Sequence, residues 1–259
     1  MVVMTNPDFG QTAHDYAKHR GGFPPEFFDS LNEIVIDSKG ARIVDLGTGT
    51  GTLARGFATR GSEVMAVDIS EDLMREAKRL DGENGVQVQY VNASAEETGL
   101  PGGEFDIVAA GQCWWWFDAE AAMAEAMRLL KPGGALLLAS WDWIPLPGNI
   151  VDLTERLIES HNPEWLRGGG NGLHLEFIID LQSGGFDAVT QLTFPIDDMY
   201  THESWRGRIR ASAGIAASMT SDRVEAFDRE LAALLAERFP EDPIAIPHRV
   251  FAVAGRKPD

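Results

Sequence analysis

The chain has 259 residues, 44% of them hydrophobic, which is enough to bury the core of one large α/β domain. Forty acidic residues against 22 basic ones give a formal charge of -18, which argues against nucleic acid and anionic membranes as partners. The single cysteine, Cys113, fits a reducing compartment, and no apolar run is long enough for a membrane span or a secretory signal. The composition predicts a cytoplasmic protein.

Strand and helix signals alternate through the first half of the chain. Strands are predicted over 41–46, 63–68, 86–92, 105–111 and 135–140, and helices over 52–60, after Ser70 and after Asp118. Strands separated by single helices are parallel and joined by right-handed crossovers, so they form a doubly wound sheet. Ligands of such sheets bind at the carboxyl ends of the strands.

The second half of the chain is less regular. Residues 142–172 are rich in Trp, Pro and Gly, which predicts a flexible insertion over the strand ends. Helices are predicted over 175–183, 202–217 and 222–238, and strands over 188–196 and 248–254. Asp222 and Glu225 have the spacing of a capping box at the start of the last helix.

The stretch VDLGTGTG, residues 44–51, follows the first predicted strand. Its alternating glycines, Gly47, Gly49 and Gly51, allow the backbone to approach a bound ligand closely. The third glycine of a dinucleotide-binding G-x-G-x-x-G is missing, and Asp45 would repel a pyrophosphate by several kcal/mol at about 4 Å and an effective dielectric of about 20. The turn therefore predicts a ligand without phosphate. S-adenosylmethionine meets this requirement, because it carries a sulfonium and an ammonium group.

The ends of the next two strands offer groups for a nucleoside. Asp68 ends the second strand, where a carboxylate can accept hydrogen bonds from both ribose hydroxyls. The residues predicted to contact an adenine ring are Ile69 and Met74 on its faces and Ser94, Ala95 and Glu96 at its polar edge.

Five segments resemble, in order and at the usual spacing, the motif series of class I S-adenosylmethionine-dependent methyltransferases: VDLGTGTG, AVDIS, SAEETGLP, FDIVAAGQCWWWFD and RLLKPGGALLLASW. The resemblance covers residues 41–141. It implies a Rossmann-like, mostly parallel seven-stranded sheet with helices on both faces, and S-adenosylhomocysteine as the product of the cofactor. The whole chain is then one domain, with an N-terminal helical cap (1–40), a cofactor-binding core (41–141), and lid or insertion helices with closing strands (142–259).

Within that class, AAGQCWWWFD is similar to the A-A-Q-A-x-H-W-F-D pattern of the trans-aconitate methyltransferase branch, which acts on small molecules. The N-terminal pattern of this branch falls on Tyr16 and Arg20, which implies a helix whose tyrosine covers the cofactor and whose arginine meets its carboxylate. Residue chemistry and resemblance together predict a cofactor site formed by Tyr16, Arg20, Asp45, Gly47, Thr48, Gly49, Gly51, Asp68, Ile69, Met74, Ser94, Ala95, Glu96, Gly111 and Gln112.

The acceptor and the catalytic group are less defined. Trp115 stands where the branch has a histidine, and an indole cannot act as a base. Because Trp114, Trp115 and Trp116 cannot all share one face, at least one is expected to face the pocket, and with Trp141 and Trp143 they predict an apolar or aromatic acceptor. The candidates for catalysis are His14, His19 and Trp115, while His161 and His174 lie in or beside the insertion.

The sequence thus predicts an enzyme that moves a methyl group in line from S-adenosylmethionine to a small molecule. No histidine or cysteine spacing typical of a metal site is present. Two alternatives stay open. A protein on this scaffold could bind the cofactor without methyl transfer, as a cyclase or binding module, or the chain could be an NAD(P)-dependent reductase. The acceptor's identity, the methylated atom and the oligomeric state stay undetermined.

Overall fold

A computed structural model describes residues 21–34, 37–165, 168–212, 214–216 and 218–259. Four of the predicted site residues, all in the N-terminal cap, lie outside the described residues: the cofactor contacts Tyr16 and Arg20, and the catalytic candidates His14 and His19.

Helices and strands alternate along the described chain. The helices are α1 (Pro25–Ser30), α2 (Thr52–Thr59), α3 (Glu71–Asn84), α4 (Ala119–Leu129), α5 (Ile150–His161), α6 (Leu175–Ser183), α7 (His202–Arg210) and α8 (Ser221–Arg238). The strands are β1 (Arg42–Leu46), β2 (Glu63–Asp68), β3 (Gln89–Asn92), β4 (Phe105–Gly111), β5 (Leu130–Trp143), β6 (Asp187–Tyr200) and β7 (Ile244–Arg256). Short 3₁₀ turns follow α1 (Leu31–Ile34) and β4 (Trp114–Trp116).

The strands form one seven-stranded sheet in the order β3-β2-β1-β4-β5-β7-β6. The pairs β1–β2, β1–β4, β2–β3 and β4–β5 are all parallel. β7 is antiparallel to β5, because Lys257, at the end of β7, exchanges hydrogen bonds with Gly133 and Gly134, at the start of β5. The Rossmann-like, mostly parallel sheet predicted from the sequence is confirmed.

The strand order places β1, the strand that leads into the glycine turn, in the interior of the sheet. β1 lies between β2 and β4, and the chain reverses its direction of winding at β1. Ligands of open α/β sheets bind at such a switch point. The carboxyl ends of β1, β2 and β4 are therefore the place to look for a site.

Local chemistry explains most element boundaries. The Ser70 hydroxyl accepts a hydrogen bond from Leu73 N at the start of α3, and Asp118 accepts one from Ala121 N at the start of α4, as the sequence predicted. The predicted capping box at Asp222 is wrong, because α8 begins one residue earlier, after Thr220, and no side chain caps it.

Other elements also differ from the sequence prediction, and among them β6 and β7 are longer than predicted. β3 is confined to Gln89–Asn92, and α7 ends at Arg210. β5 begins at Leu130, so the sequence Lys131–Gly134 lies inside a strand, where Gly133 and Gly134 pair with the end of β7. Residues 150–161 form a helix that the Trp, Pro and Gly content of the surrounding segment concealed.

The chain folds into two compact units, and it passes between them several times. The first unit comprises Gly21–Trp141, Leu173–Phe194 and Val250–Asp259. Its core is formed by apolar residues of the central strands together with α4, α6 and the end of β7, including Val44, Val108, Leu136, Phe177 and Phe251.

The second unit includes Asp142–Gly172 and Pro195–Arg249. Its core gathers residues of α5, α7 and α8, with Trp205 and Phe227 fully buried. Trp143 donates its indole N–H to Glu155 within this unit, at 2.8 Å. Among the described helices, none has the length and apolar character needed to cross a bilayer.

Candidate functional site

The glycine turn between β1 and α2 is the centre of the site. Gly47, Gly49 and Gly51 have positive φ angles of 65°, 56° and 75°, a conformation that favours glycine. A Cβ atom at Gly47 would lie 2.8 Å from Phe117 Cζ and 2.9 Å from Cys113 Sγ, whereas no heavy atom lies within 4 Å of that position at Gly49. Gly47 is thus required by packing, and Gly49 presents open backbone.

Asp45 holds the turn from inside the protein. Only 1% of the residue is exposed, and its Oδ2 accepts hydrogen bonds from Thr48 Oγ1 at 2.6 Å and from Ala54 N at 3.1 Å. Burial raises the pKa of the Asp45 carboxyl from its ordinary value to about 7, although both hydrogen bonds act in the opposite direction. The carboxyl therefore carries a weakened negative charge near neutral pH, and a neighbouring cation would restore that charge.

Asp68 links the end of β2 to the glycine turn. Its Oδ2 accepts a hydrogen bond from Gly49 N at 2.7 Å, and its Oδ1 accepts one from Ser70 N at 2.8 Å. Burial raises the pKa of this carboxyl, and the bonds from Ser70 and Gly49 oppose the shift. Each carboxylate oxygen can accept a second hydrogen bond, so a pair of hydroxyl groups can still bind here.

Ile69 lies next to this carboxylate with 70% of its surface exposed, the largest fraction among the exposed large apolar side chains of the described chain. An isolated exposed isoleucine is common on protein surfaces. Ile69 directly follows Asp68 at the end of β2, and its contact with an adenine ring stays a prediction. Met74, the other predicted adenine contact, is only 4% exposed and packs as a core residue of α3.

A buried polar brace supports the turn from α3 and β3. Arg55 Nη1 contacts Asp81 Oδ1 at 2.7 Å, and Arg55 Nη2 donates to the carbonyl oxygen of Thr50 at 2.9 Å. Tyr90 donates its hydroxyl proton to Asp81 Oδ2 at 2.6 Å. Burial, and next the bond to Asp81, raises the pKa of Tyr90, so this hydroxyl stays a donor. This brace could not be predicted from the sequence, because Arg55, Asp81 and Tyr90 lie on three different elements.

The loop after β3 carries the predicted adenine-edge residues. Ala95 is buried, and Ser94 and Glu96 are half-buried. The Ser94 hydroxyl accepts a hydrogen bond from Glu97 N at 3.2 Å, and Glu96 Oε1 accepts one from Asp118 N at 3.1 Å. These bonds fix the loop between β3 and the start of α4, on the same edge of the sheet as Asp68.

Glu125, on α4, anchors the far end of this loop. Its Oε1 accepts hydrogen bonds from Thr98 N at 3.0 Å and Thr98 Oγ1 at 2.5 Å, and its Oε2 contacts Arg128 Nε at 2.7 Å. Burial acts to raise the pKa of the Glu125 carboxyl, but the Arg128 and Thr98 hydrogen bonds outweigh it and lower the pKa to about 2. Glu125 was not predicted as a site residue, because in the sequence it is one of several polar residues of a helix.

The end of β4 contributes the last group of predicted residues. Gly111 packs tightly, since a Cβ atom there would lie 2.9 Å from both Leu53 and Phe23. Gln112 has a φ of 65°, which is unusual for a residue with a side chain, and its amide nitrogen donates to the carbonyl oxygen of Trp141. Strained backbone of this kind concentrates at functional sites.

The three consecutive tryptophans have different environments. Trp114 is 3% exposed and donates its indole N–H to Asp180 at 2.8 Å, so it belongs to the core. Trp115 and Trp116 are half-buried at the edge of that core. Trp115 thus lies at the edge of the core just after β4, and its contact with an acceptor stays a prediction.

Asn92, which was not among the predicted site residues, lies at the end of β3. Asn92 Nδ2 donates to the carbonyl oxygens of Asp68 at 3.1 Å and Ile69 at 3.0 Å, and so fixes the two residues predicted to meet the nucleoside. Its position at the end of a predicted strand was the feature of the sequence that could have indicated this role. Within the described ranges, no group of three or more His, Cys, Asp or Glu side chains could hold a metal ion.

Comparison with known families agrees with this geometry. Residues 44–138 match the family model described as a methyltransferase domain. These residues form a class I S-adenosylmethionine-dependent methyltransferase domain. The matched range contains the glycine turn, Asp68 and the loop after β3.

Relatives of this methyltransferase domain include an uncharacterized methyltransferase of Mycobacterium tuberculosis, 34% identical over 153 residues, which are 55% of this chain and 58% of the relative. A ubiquinone biosynthesis O-methyltransferase of Xanthomonas oryzae pv. oryzae is 28% identical over 69% of this chain and 73% of its own. The alignment with the mycobacterial protein thus spans less than two thirds of that protein.

Among solved structures, a putative type II methyltransferase from Anaeromyxobacter dehalogenans has a TM-score of 0.64 and 24% identity, covering 92% of this chain and 98% of its own. At this level of identity the likeness shows a similarity of fold alone. The narrower resemblance to the trans-aconitate branch stays a prediction.

Proposed function

We propose that this protein transfers a methyl group from S-adenosylmethionine to a small molecule with an apolar or aromatic surface. The observation that carries the proposal is the geometry around Gly49. Its open backbone, the Asp68 carboxylate that binds its N–H, and the exposed Ile69 side chain lie together at the end of β1 and β2.

The residues present fit the cofactor. Asp68 would accept the ribose hydroxyls, Ile69 would pack on the adenine ring, and the loop carrying Ser94, Ala95 and Glu96 would meet the edge of the ring. When bound, the cofactor supplies both the methyl group and, as a sulfonium, the leaving group. The protein's own contribution is alignment and the exclusion of water, which can lower a barrier by up to about 7–11 kcal/mol.

Asp45 would act through charge and through the shape of the turn. Its Oδ2 is engaged by Thr48 and Ala54, so direct contact with a ligand is not needed for it to matter. A cationic ligand near the turn would favour the ionised form of Asp45, and an anionic pyrophosphate would oppose it. The buried carboxyl thus supports a preference for a sulfonium nucleoside over a dinucleotide.

The acceptor side of the proposal depends on Trp115 at the end of β4, whose half-buried ring can pack on an apolar molecule. A relative named as an O-methyltransferase supports transfer to a small-molecule oxygen.

We also propose that the two compact units belong to one domain, since the chain passes repeatedly from one to the other. No described contact favours the cyclase or binding-module alternative, or the reductase.

The test is direct. Isothermal calorimetry should show firm binding of S-adenosylhomocysteine and none of NADH. With a panel of small aromatic and aliphatic acceptors, mass spectrometry should then show catalytic conversion of S-adenosylmethionine to S-adenosylhomocysteine together with a methylated product. Binding of NADH in preference to S-adenosylhomocysteine would overturn the proposal.

A further inference from the structure

A cavity of about 490 Å³ lies beside β3, the strand at one edge of the sheet. It is formed by the amino ends of β2 and β3 and by the second half of α3, and Val64, Val86 and Val88 supply its apolar surface. Small-molecule sites typically have volumes of about 300–1,000 Å³. Because β2 and β3 are parallel, the cavity lies at the opposite end of these strands from the candidate site. It is therefore a separate place for a ligand.

Lys78 supplies a positive charge to the wall of this cavity. Its Nζ lies 5.4 Å from the centre of the Tyr90 ring, which also lines the cavity. In the part of the chain that the structure describes, no carboxylate pairs with Lys78. The two acidic residues of the lining, Glu63 and Asp81, are each paired with an arginine, at nitrogen–oxygen distances of 3.6 and 2.7 Å. A cation without a partner beside an aromatic ring suits a planar ligand that carries a carboxylate.

Tyr90 connects the cavity with the glycine turn. Its side chain lines the cavity, and its hydroxyl donates to Asp81 Oδ2 at 2.6 Å. A Cβ atom at Gly51 would lie 2.8 Å from the same hydroxyl oxygen, so this hydroxyl packs directly against the third glycine of the turn. Asp81 in turn pairs with Arg55, which binds the carbonyl oxygen of Thr50. A molecule that fixes the position of Tyr90 therefore also fixes two consecutive residues of the turn.

We propose that this cavity binds a small planar carboxylic acid and that its occupation strengthens binding of the methyl donor. The carboxylate pairs with Lys78, and the apolar part of the acid packs against the valines and the Tyr90 ring. The structure contains the cavity together with the intact brace of Arg55, Asp81 and Tyr90, so a ligand of the cavity stabilises the form of the turn that the brace supports. This inference rests on the methyltransferase function proposed above, because the coupling is to its donor.

The first experiment tests the cavity without the donor. Benzoate is titrated into the full chain at constant ionic strength, and ¹H–¹⁵N NMR spectra follow the backbone amides of Gln87 and Gln89, which line the cavity. We expect these signals to shift, with binding about fivefold weaker in K78Q because a partly exposed ion pair is lost. K39Q is the matched control, since Lys39 is an exposed lysine outside the lining, and it should bind benzoate like the native protein. Benzamide, which is planar but uncharged, should bind less tightly than benzoate.

The second experiment measures the coupling between the cavity and the donor site. Calorimetry in saturating benzoate should show an affinity for S-adenosylhomocysteine that is higher by about fivefold or more. By thermodynamic linkage, S-adenosylhomocysteine should strengthen binding of benzoate by the same factor. Y90F keeps the aromatic ring but removes the hydroxyl that contacts Asp81, so this variant should still bind benzoate while the coupling factor falls to about 1.

The outcomes separate the two proposals. Equal affinities of K78Q and K39Q for benzoate would overturn the assignment of the cavity, and an affinity for S-adenosylhomocysteine that benzoate leaves unaltered or lowers would overturn the coupling. A coupling factor that persists in Y90F would overturn the route through Tyr90. Failure of the native protein to bind S-adenosylhomocysteine would instead overturn the methyltransferase function, and the first experiment would still decide whether benzoate binds beside Lys78.

Discussion

Gly49 donates its backbone N–H to Asp68 Oδ2 at 2.7 Å, and this bond joins the glycine turn to the end of the neighbouring strand β2. The same carboxylate is the group proposed to bind the ribose. A single side chain thus shapes the turn and contacts the ligand that the turn holds.

Replacing Asp68 by alanine should weaken binding of S-adenosylhomocysteine. Hydrogen bonds to a charged group contribute about 1.5–3 kcal/mol, which corresponds to a loss of roughly 10- to 150-fold in affinity. Calorimetry on the purified variant measures this loss. The control is Asp72→Ala, because Asp72 is an exposed acid of α3 paired with Arg75, and its removal should leave the affinity unaltered. Equal affinities for the two variants would contradict the assignment of Asp68.

Ile69 offers a test in which stability and binding separate. With 70% of its surface exposed, Ile69→Ser should change the free energy of unfolding by no more than about 0.5 kcal/mol. The loss of apolar contact with an adenine ring should weaken binding of S-adenosylhomocysteine by about tenfold. Ile179→Ser is the control, since Ile179 is 61% exposed on α6. Binding that is equally strong in both variants would show that Ile69 does not contact the nucleoside.

Gly47 and Gly49 should respond differently to the same substitution. Both have positive φ angles, but an added Cβ atom collides with Phe117 and Cys113 only at position 47. Gly47→Ala should therefore lower the melting temperature markedly more than Gly49→Ala. In Gly49→Ala the methyl group projects into the open space beside the turn, so the main defect should be weaker binding of S-adenosylhomocysteine. A larger stability loss at position 49 would be inconsistent with this description of the turn.

The buried Asp45 makes stability depend on pH. Because burial raises its pKa to about 7 in the folded protein, the folded state holds a proton that the unfolded chain has released. The contribution of Asp45 to the free energy of unfolding therefore falls as the pH rises from about 4 to about 7. Urea denaturation across this range should show a shallower decline for Asp45→Asn than for the native protein. Parallel curves would indicate that the carboxyl has an ordinary pKa.

Glu125 should show the opposite dependence. Its pKa is lowered to about 2 in the folded protein, so its stabilising effect is complete above the ordinary glutamate pKa and disappears as the pH falls through about 2. Glu125→Gln should lower the free energy of unfolding by about 1.5–3 kcal/mol at neutral pH, because the charged partner of Arg128 is lost. The difference from the native protein should shrink in acid. Denaturation at neutral pH and near pH 3 measures both values.

The sequence predicted the elements whose signals are local. The buried run of β1, the hydroxyl cap at Ser70 and the alternating glycines each depend on a few adjacent residues, and the structure contains all three. α5 was missed because its helical period lies within a segment dominated by Trp, Pro and Gly. The start of β5 was placed too late, since its two glycines pair with β7, more than a hundred residues away.

The residues of the candidate site were likewise predictable from the sequence only where their signal is local. Residues at strand ends, such as Asp68 and Ile69, could be located because parallel strands bring their carboxyl ends to one edge. The internal role of Asp45 could not, because a sequence does not show which oxygen a nearby hydroxyl or amide will reach. The stacking of the His174 ring on the Trp115 ring, at 5.2 Å between centroids, likewise depends on where α6 packs, which only the folded chain determines.

The Arg55–Asp81–Tyr90 brace has a consequence for genetics. Asp81 is in the last turn of α3 and Tyr90 is on β3, yet both support the carbonyl of Thr50 through Arg55. A random mutagenesis screen for loss of donor binding should therefore recover alleles at codons 81 and 90. Such alleles would be read as distant or allosteric, although they act by releasing the backbone of the glycine turn.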